Sequence, residues 1–523
     1  MNQPLLNLHK KTIKKYIIQN NCMKNKEKEL TFKFIKEDLP SGLVVFLVAL
    51  PLCLGIALAS GAPLFSGIIA GIVGGIVVAL ASGSNVSVTG PAAGLTVIVL
   101  NGIAELGNYN TFLLAVVLAG GIQIVLGFLK AGVIGYYFPS SVIKGMLAAI
   151  GIILILKQAP VAIGYVKNMP TPYHLTSIII ASVSILIILI WDLPMIKNNK
   201  IAKWIPGALI AVFVGTAINE FMQVYNPILK LSDTQLVKLP VANSLNDFAQ
   251  QFTFPDFKGF LIPKVYILAI TIAIIASLES LLSTEAGDKL DPHKRITPTN
   301  RELKAQGLGN MISGLIGGLP VTAVIVRTSA NVNAGSRTKL SAIFHGVLLL
   351  VSVILLASIL NKIPLACLAA VLLVVGYKLA KVSLFKQMYK LGWEQFVPFI
   401  VTIVAIQFTD LLKGIALGML VAIFYILRAN YRRDYVIHHD KQNKGGLITI
   451  SLTEHVTFLN KGSLALKLSQ IEEGTNVVID GGNAHYIDLD ILEIIYNFNS
   501  NAEERKIKVT LLNVPAFAGT FGH

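Results

Sequence analysis

The sequence predicts an α-helical polytopic membrane protein that ends in a small α/β domain. Of its 523 residues, 54% are hydrophobic and only 14% are charged, and the mean hydropathy is +0.68. A soluble domain carries about 25% charged residues. Long apolar runs follow one another from Leu39 to Asn430, and the composition becomes that of a soluble domain after Asp434. These three observations do not fit a soluble enzyme or a disordered protein.

Residues 1–37 are polar and rich in lysine. No apolar stretch with a small-residue cleavage site follows the basic residues, so a cleaved signal peptide is not expected. We interpret this segment as a basic cytoplasmic N-terminal tail.

Residues 38–433 are predicted to form the transmembrane domain, because a run of about 17–25 apolar residues can cross a bilayer. Such runs occupy 40–60, 63–82, 111–129, 138–159, 173–191, 204–219, 262–285, 341–360, 364–380, 394–409 and 412–429. Three further apolar stretches are short or interrupted by Gly or Pro, namely 86–103, 302–316 and 320–334. Counting all of them predicts fourteen transmembrane segments.

The net charge of +16 has a topological explanation. Basic residues concentrate in alternate loops, for example around Lys130, over 289–304, over 378–390 and over 428–433. Because cytoplasmic loops carry the excess of Lys and Arg, this pattern predicts a multi-pass protein of the inner (plasma) membrane with both termini in the cytoplasm. The bilayer is thus the expected partner of this chain, and nucleic acid is not.

The C-terminal residues 447–523 alternate between strand-like and helical patterns. Strands are predicted over 447–452, 476–480 and 506–514, and helices over 462–473 and 488–499. This order is typical of a small α/β domain with a partly parallel sheet.

Two of the interrupted stretches indicate a binding site. SNVSVTGPAAGLTVIV (84–99) predicts a strand-like start, a helix cap at Thr89 and Pro91 in the first helical turn, and GGLPVTAVIVRTSANV (317–332) predicts a second half-helix. Broken helices at membrane depth persist where they line a site, and their positive N-termini favour an anion. Two proline-kinked packing helices are the alternative.

Two ionisable residues lie at membrane depth. Burying Arg327 costs about 3 to 10 kcal/mol or more, so it must face a cavity or a carboxylate. Glu279 and Ser283 share one helix face at i and i+4. Arg327 would bind an anionic substrate while Glu279 carries a coupling proton; alternatively, the two side chains form a structural ion pair.

Neither a metal nor an organic cofactor is expected. The cysteines Cys22, Cys53 and Cys367 lack disulfide or metal-ligand spacing, and packing is the predicted role of the latter two. No nucleotide-binding or nucleophile motif occurs, so the chain is not expected to be an enzyme or an ATP-driven pump.

The sequence resembles the SulP family of anion transporters in SVTGPAAGLTV (87–97), LESLLSTEAGD (278–288) and NRELKAQGLGNMISGLIGGLP (300–320). This resemblance implies a 7+7 inverted repeat of fourteen segments, a core domain that moves against a gate domain, and a homodimer. It places the anion between the third and tenth segments and ion coupling on the eighth. The implied substrate-binding residues are Thr89, Gly90, Pro91, Ala92, Ser283, Val324, Ile325 and Arg327, and the implied coupling residue is Glu279.

The C-terminal region resembles a short STAS domain through VVIDGGNAHYIDLDIL (477–492). That resemblance implies a module able to bind a cytoplasmic regulator. The loop that carries a phosphorylatable hydroxyl in the family holds Gly481, Gly482, Asn483 and Ala484 here. Regulation by phosphorylation at this loop is therefore not expected.

The predicted function is secondary active transport of a small inorganic anion, sulfate or a related oxyanion, by an elevator-like mechanism. Glu279 together with Arg327 resembles the proton-coupled branch of the family, so H⁺ rather than Na⁺ is the expected coupling ion. Pro51-Leu52-Cys53 resembles the bacterial bicarbonate branch instead, which leaves sodium-coupled bicarbonate uptake open. Dicarboxylate symport, nucleobase transport and a regulatory scaffold built on the STAS-like domain also stay open.

Overall fold

The structure is a computed structural model that describes residues 34–165, 174–197, 205–225, 230–241, 250–409, 411–431, 435–440 and 447–516. Most of the predicted N-terminal tail lies outside these residues. The chain divides into two compact units. The first extends to Phe385 and includes Ile406–Leu412, and the second comprises Lys386–Ala405 and the residues from Lys413 onward. The predicted boundaries at 37, 433 and 447 remain predictions.

Helices make up most of the first unit, as the hydrophobic runs predict. They are α1 (Ile35–Ala59), α2 (Leu64–Ala81), α3 (Ala93–Leu106), α4 (Tyr109–Phe128), α5 (Ser140–Ala162), α6 (Leu175–Trp191), α7 (Gly207–Tyr225), α8 (Pro263–Leu290), α9 (Thr299–Leu315), α10 (Ile325–Asn333), α11 (Leu340–Leu360) and α12 (Leu365–Leu379). All of these helices except α9 and α10 are apolar. A short amphipathic helix, α13 (Val382–Lys390), precedes α14 (Trp393–Phe408) and α15 (Leu411–Tyr431). Within the described residues, nine helices are long and apolar enough to cross a membrane. The predicted polytopic helical fold is thereby confirmed.

The two Gly/Pro-interrupted stretches each contain a strand followed by a half-helix. Strand β1 (Thr89–Pro91) precedes α3, and strand β2 (Val321–Ala323) precedes α10. The strands are antiparallel, and Thr89 lies opposite Ala323. The predicted helix cap at Thr89 is wrong, because this residue belongs to the strand and the helix begins four residues later. The alternative interpretation of the two stretches as proline-kinked but continuous helices is also wrong, because a strand precedes the helix in each.

Contacts between the helices follow a two-fold pattern. α1 packs on α11 as α8 packs on α4, and α2 packs on α11 as α9 packs on α4. α5 packs on α12, and β1 pairs with β2. If β1–α3 is the third segment and β2–α10 is the tenth, adding or subtracting seven to the segment numbers maps each of these named contacts onto another of them or onto itself. The antiparallel strand pair makes the repeat inverted, which agrees with the predicted 7+7 plan.

Helix α2 approaches the strand pair at backbone distance. It contains a π-helical turn, Gly74–Val78, a feature that often marks functional regions. A Cβ added at Gly74 would lie 2.9 Å from the Gly90 nitrogen, and one added at Gly75 would lie 2.6 Å from the Gly346 Cα. Glycine is therefore required at both positions, because α2 fits between β1 and α11 with no room for side chains.

The C-terminal residues form the predicted α/β region. Its sheet has the order β3 (Tyr435–Asp440), β4 (Leu447–Leu452), β6 (Asn476–Asp480) and β8 (Lys508–Leu512), with a separate pair β5 (His455–Val456) and β7 (Tyr486–Ile487). The helices α16 (Lys461–Ser469) and α17 (Leu489–Ser500) connect the strands. β4, β6 and β8 are parallel, as expected, while the antiparallel edge strand β3 is an addition that the sequence pattern did not predict.

Candidate functional site

Helix α10 leaves backbone amides available at its N-terminus, whereas at α3 the Gly94 amide donates a hydrogen bond to Glu279. The first backbone hydrogen bond of α10 runs from the Thr328 nitrogen to the Val324 oxygen, so the preceding amides of its first turn have no acceptor within the helix. No side chain of the described residues caps α3 or α10. Each helix end therefore presents a partial positive charge of about half a unit.

Arg327 connects these two helix ends. It lies in the first turn of α10, is completely buried, and its Nη2 atom lies 3.4 Å from the Pro91 carbonyl oxygen just before α3. The same nitrogen lies 3.4 Å from the Cys53 Sγ atom of α1. Its Nε and Nη1 atoms have no hydrogen-bond partner among the described residues. A buried guanidinium with two available donor atoms is well suited to bind an oxyanion.

Glu279 on α8 faces the N-terminal end of α3. A Cβ added at Gly94 would lie 2.5 Å from each of its two carboxylate oxygens. The Oε2 atom is buried and has no hydrogen-bond partner in the described part of the chain. The carboxylate thus occupies the space beside the first turn of α3, where the helix dipole favours negative charge.

Arg327 and Glu279 do not form the structural ion pair that the sequence allowed. Among the described residues, no carboxylate lies within 4.0 Å of the Arg327 guanidinium. Because an unpaired buried charge is costly, this arrangement favours a site that receives its negative charge from a ligand.

The other sequence-predicted residues surround this arrangement. Thr89 is buried and accepts a hydrogen bond from the Gln306 Nε2 atom at 2.9 Å. The space beside Gly90 is filled by the Arg327 guanidinium, with which an added Cβ would overlap. Ala92 ends the extended stretch before α3, while Val324 and Ile325 lead into α10 and are partly exposed.

Ser283 lies one helical turn after Glu279 on α8 and is also partly exposed. Two contacts of the site were not predicted. Cys53 is buried as expected, but it also contacts the arginine. The small residues of the PAAG run pointed to Gly94 as part of the first turn of α3, but not to the space that it provides for the Glu279 carboxylate.

Comparison with known proteins gives consistent results. A family model described as the sulfate permease family matches residues 35–405. YvdB of Bacillus subtilis (strain 168), which carries the provisional name of a sulfate transporter, is 27% identical over 75% of this chain and 74% of its own length. The bicarbonate transporter BicA of a Picosynechococcus species is 29% identical over 75% of this chain and 70% of its own.

A solved structure supports the fold over nearly the whole chain. The murine solute carrier 26 family member A9, an anion transporter in its inward-facing state, superposes with a TM-score of 0.74. The alignment covers 94% of this chain and 87% of the other, with 18% sequence identity.

Proposed function

Because this chain belongs to the sulfate permease family, we propose that it carries small oxyanions across the membrane, with sulfate as the first candidate. The family consists of transporters and not of enzymes, as the sequence predicts for this chain. The observation that carries the proposal is the completely buried Arg327, whose Nε and Nη1 atoms lack partners among the described residues.

The proposed anion site lies between the N-termini of α3 and α10. Arg327 would donate charge-assisted hydrogen bonds to the anion, and the free first-turn amides of α10 would donate others. Thr89, Gly90, Pro91 and Ala92 shape one side of this site, and Val324 and Ile325 shape the other. Ser283 would add a hydroxyl from α8.

Glu279 would couple anion binding to a proton. Its carboxylate lies against Gly94 and competes with the anion for the positive end of α3. Protonation removes the negative charge of this competitor, so the anion and a proton bind together more favourably than either does alone. Proton symport follows from this linkage, and the loaded site would then cross the bilayer in an elevator-like movement.

Sodium-coupled bicarbonate uptake is a second candidate. It is favoured by the 29% identity to a protein named as a bicarbonate transporter. In this case a sodium gradient, and not a pH gradient, would increase uptake. Bicarbonate has a single charge, so it would need the arginine less than sulfate does.

We further propose the cellular arrangement that the sequence indicates. The protein would lie in the plasma membrane as a homodimer with both termini in the cytoplasm. The C-terminal α/β region would act as a STAS-like module that binds a cytoplasmic regulator.

An uptake assay tests the proposed function. Purified protein reconstituted in liposomes would be offered sulfate, bicarbonate, fumarate and uracil under a pH gradient and, separately, a sodium gradient. We expect saturable sulfate uptake driven by external acid. Bicarbonate uptake driven by sodium would establish the second candidate, and the absence of any anion uptake would contradict a transport function.

Gly94→Ala should reduce sulfate uptake about tenfold or more. The added methyl would overlap the Glu279 carboxylate, and overpacking of this kind costs about 1–3 kcal/mol. Initial uptake rates per amount of folded protein give the measurement. Gly121→Ala on α4 is the matched control, because a Cβ there meets nothing within 4 Å. Equal uptake by both variants would show that the close approach at Gly94 is not needed.

A further inference from the structure

We propose that Glu302, Gln306 and Asn310 of α9 are positioning residues that hold β1 and β2 in place at the anion site. The three side chains are spaced by four residues, so they lie on one helix face, and all three are completely buried. None of them belongs to the site described above. This inference rests on the proposed function, because it concerns the alignment of the same anion site.

The Asn310 side chain forms hydrogen bonds with the backbone of β2 at Val321. Its Oδ1 atom accepts a hydrogen bond from the Val321 nitrogen at 2.6 Å, and its Nδ2 atom donates to the Val321 oxygen at 3.1 Å. The side chain thus replaces a neighbouring strand at this residue. An unsatisfied strand edge at membrane depth costs several kcal/mol, so Asn310 fixes where β2 can lie.

Gln306 holds β1 through the side chain of Thr89 and not through the strand backbone. Its Nε2 atom donates to the Thr89 Oγ1 atom at 2.9 Å and to the Glu302 Oε1 atom at 2.7 Å. Both hydrogens of the amide nitrogen are therefore used. As a result, one amide group connects α9 to the strand that carries Pro91.

Glu302 determines the orientation of that amide. The Glu302 Oε1 atom accepts a hydrogen bond, so the amide turns its nitrogen, and not its oxygen, toward Glu302. The Ser82 hydroxyl donates to the second carboxylate oxygen. In this orientation Thr89 always receives a hydrogen bond from Gln306, and β1 is tied to α9 in one position.

The position of β1 matters for the anion because Pro91 and α3 follow Thr89 directly. The Pro91 carbonyl oxygen is 3.4 Å from Arg327, so a small shift of the strand breaks this contact. Catalytic and binding groups lose much of their effect when they move by about 1 Å. The α9 side chains would thus set the affinity for the anion without touching it.

Uptake kinetics of Glu302→Gln test this proposal. An amide at position 302 can present either its oxygen or its nitrogen, so Gln306 loses its fixed orientation. We expect the sulfate concentration at half-maximal uptake to rise about tenfold, as for the loss of one hydrogen bond to a charged group. The maximal rate per amount of folded protein should change less than about twofold, since the positioning residues act on affinity. Glu285→Gln is the matched control, because this partly exposed carboxylate pairs with Lys289 on its own helix.

Gln306→Ala should have the same effect as Glu302→Gln, and the double variant should lose no more than either single one, because Glu302 acts through Gln306. If the affinity losses of the two single variants multiplied in the double variant, Glu302 would not act through Gln306, and the proposal would be wrong. An unchanged sulfate concentration at half-maximal uptake in Glu302→Gln would contradict it as well.

If these variants fail to fold, Asn310→Asp provides the comparison at β2, since it keeps the acceptor and loses the donor to Val321. An unchanged sulfate concentration at half-maximal uptake in Asn310→Asp also contradicts the proposal. A wild-type protein without saturable sulfate uptake would refute the proposed function itself, whereas normal wild-type uptake with unaffected variants refutes only the positioning role.

Discussion

Arg327→Met should reduce sulfate affinity at least about 100-fold while the protein remains folded. The substitution removes the charge and the donor atoms but keeps most of the volume of the side chain. Two charge-assisted hydrogen bonds contribute about 1.5–3 kcal/mol each, which corresponds to a factor of 100 or more. Equilibrium binding of radiolabelled sulfate to the purified variant measures this loss.

The melting temperature distinguishes this prediction from a structural role for the arginine. Without a carboxylate partner in the described residues, Arg327 costs the anion-free protein stability, so Arg327→Met should melt at the same temperature or a higher one. Added sulfate should stabilise the wild type and leave the variant unaffected. Arg337→Ala, which removes an exposed arginine, is the control for general effects of charge. Retained sulfate affinity in Arg327→Met would refute the assignment of this residue.

Glu279→Gln should abolish the dependence of sulfate uptake on a pH gradient while anion binding persists. Glutamine has the shape of a protonated glutamate, so the competition for the N-terminal end of α3 disappears at every pH. Uptake into vesicles by this variant should be equal with and without external acid, whereas acid should strongly stimulate uptake by the wild type. The measurement is the ratio of the two initial rates.

The matched control for this experiment lies on the same helix. Glu285 is partly exposed and forms an ion pair with Lys289 at 2.6 Å, so Glu285→Gln should keep the full response to the pH gradient. Proton-driven uptake that is unchanged in Glu279→Gln would assign coupling to another group. A response to sodium in place of acid would favour the bicarbonate carrier.

The sequence indicated the helices and the place of the site because these depend on local patterns. Apolar runs of sufficient length predict membrane helices, and the Gly/Pro-rich stretches around Pro91 and Pro320 predict interruptions. The unusual cost of an arginine at membrane depth pointed to Arg327. Each of these signals lies within a few neighbouring residues.

The contacts that define the site could not be predicted because they join distant parts of the chain. Strands of three residues are too short to leave an alternating pattern, so Thr89 was expected to cap a helix. The approach of Glu279 to Gly94, and of Arg327 to Pro91, depends on how α8 and α10 pack. Likewise, the polar residues of α9 indicated only a weak span, although they are buried against the strands.

The lack of a carboxylate beside Arg327 within the described part of the chain has an electrical consequence. A carrier with a charged arginine and an ionised Glu279 has no net charge at these two groups, whereas protonated Glu279 with bound sulfate leaves one negative charge. An interior potential of about −100 mV would oppose the inward movement of that charge by about 2.3 kcal/mol. With bicarbonate, the loaded form is neutral at the same groups and would not respond to voltage. A current across the membrane during transport would therefore indicate a divalent anion bound at Arg327, and transport without a current would indicate a monovalent one.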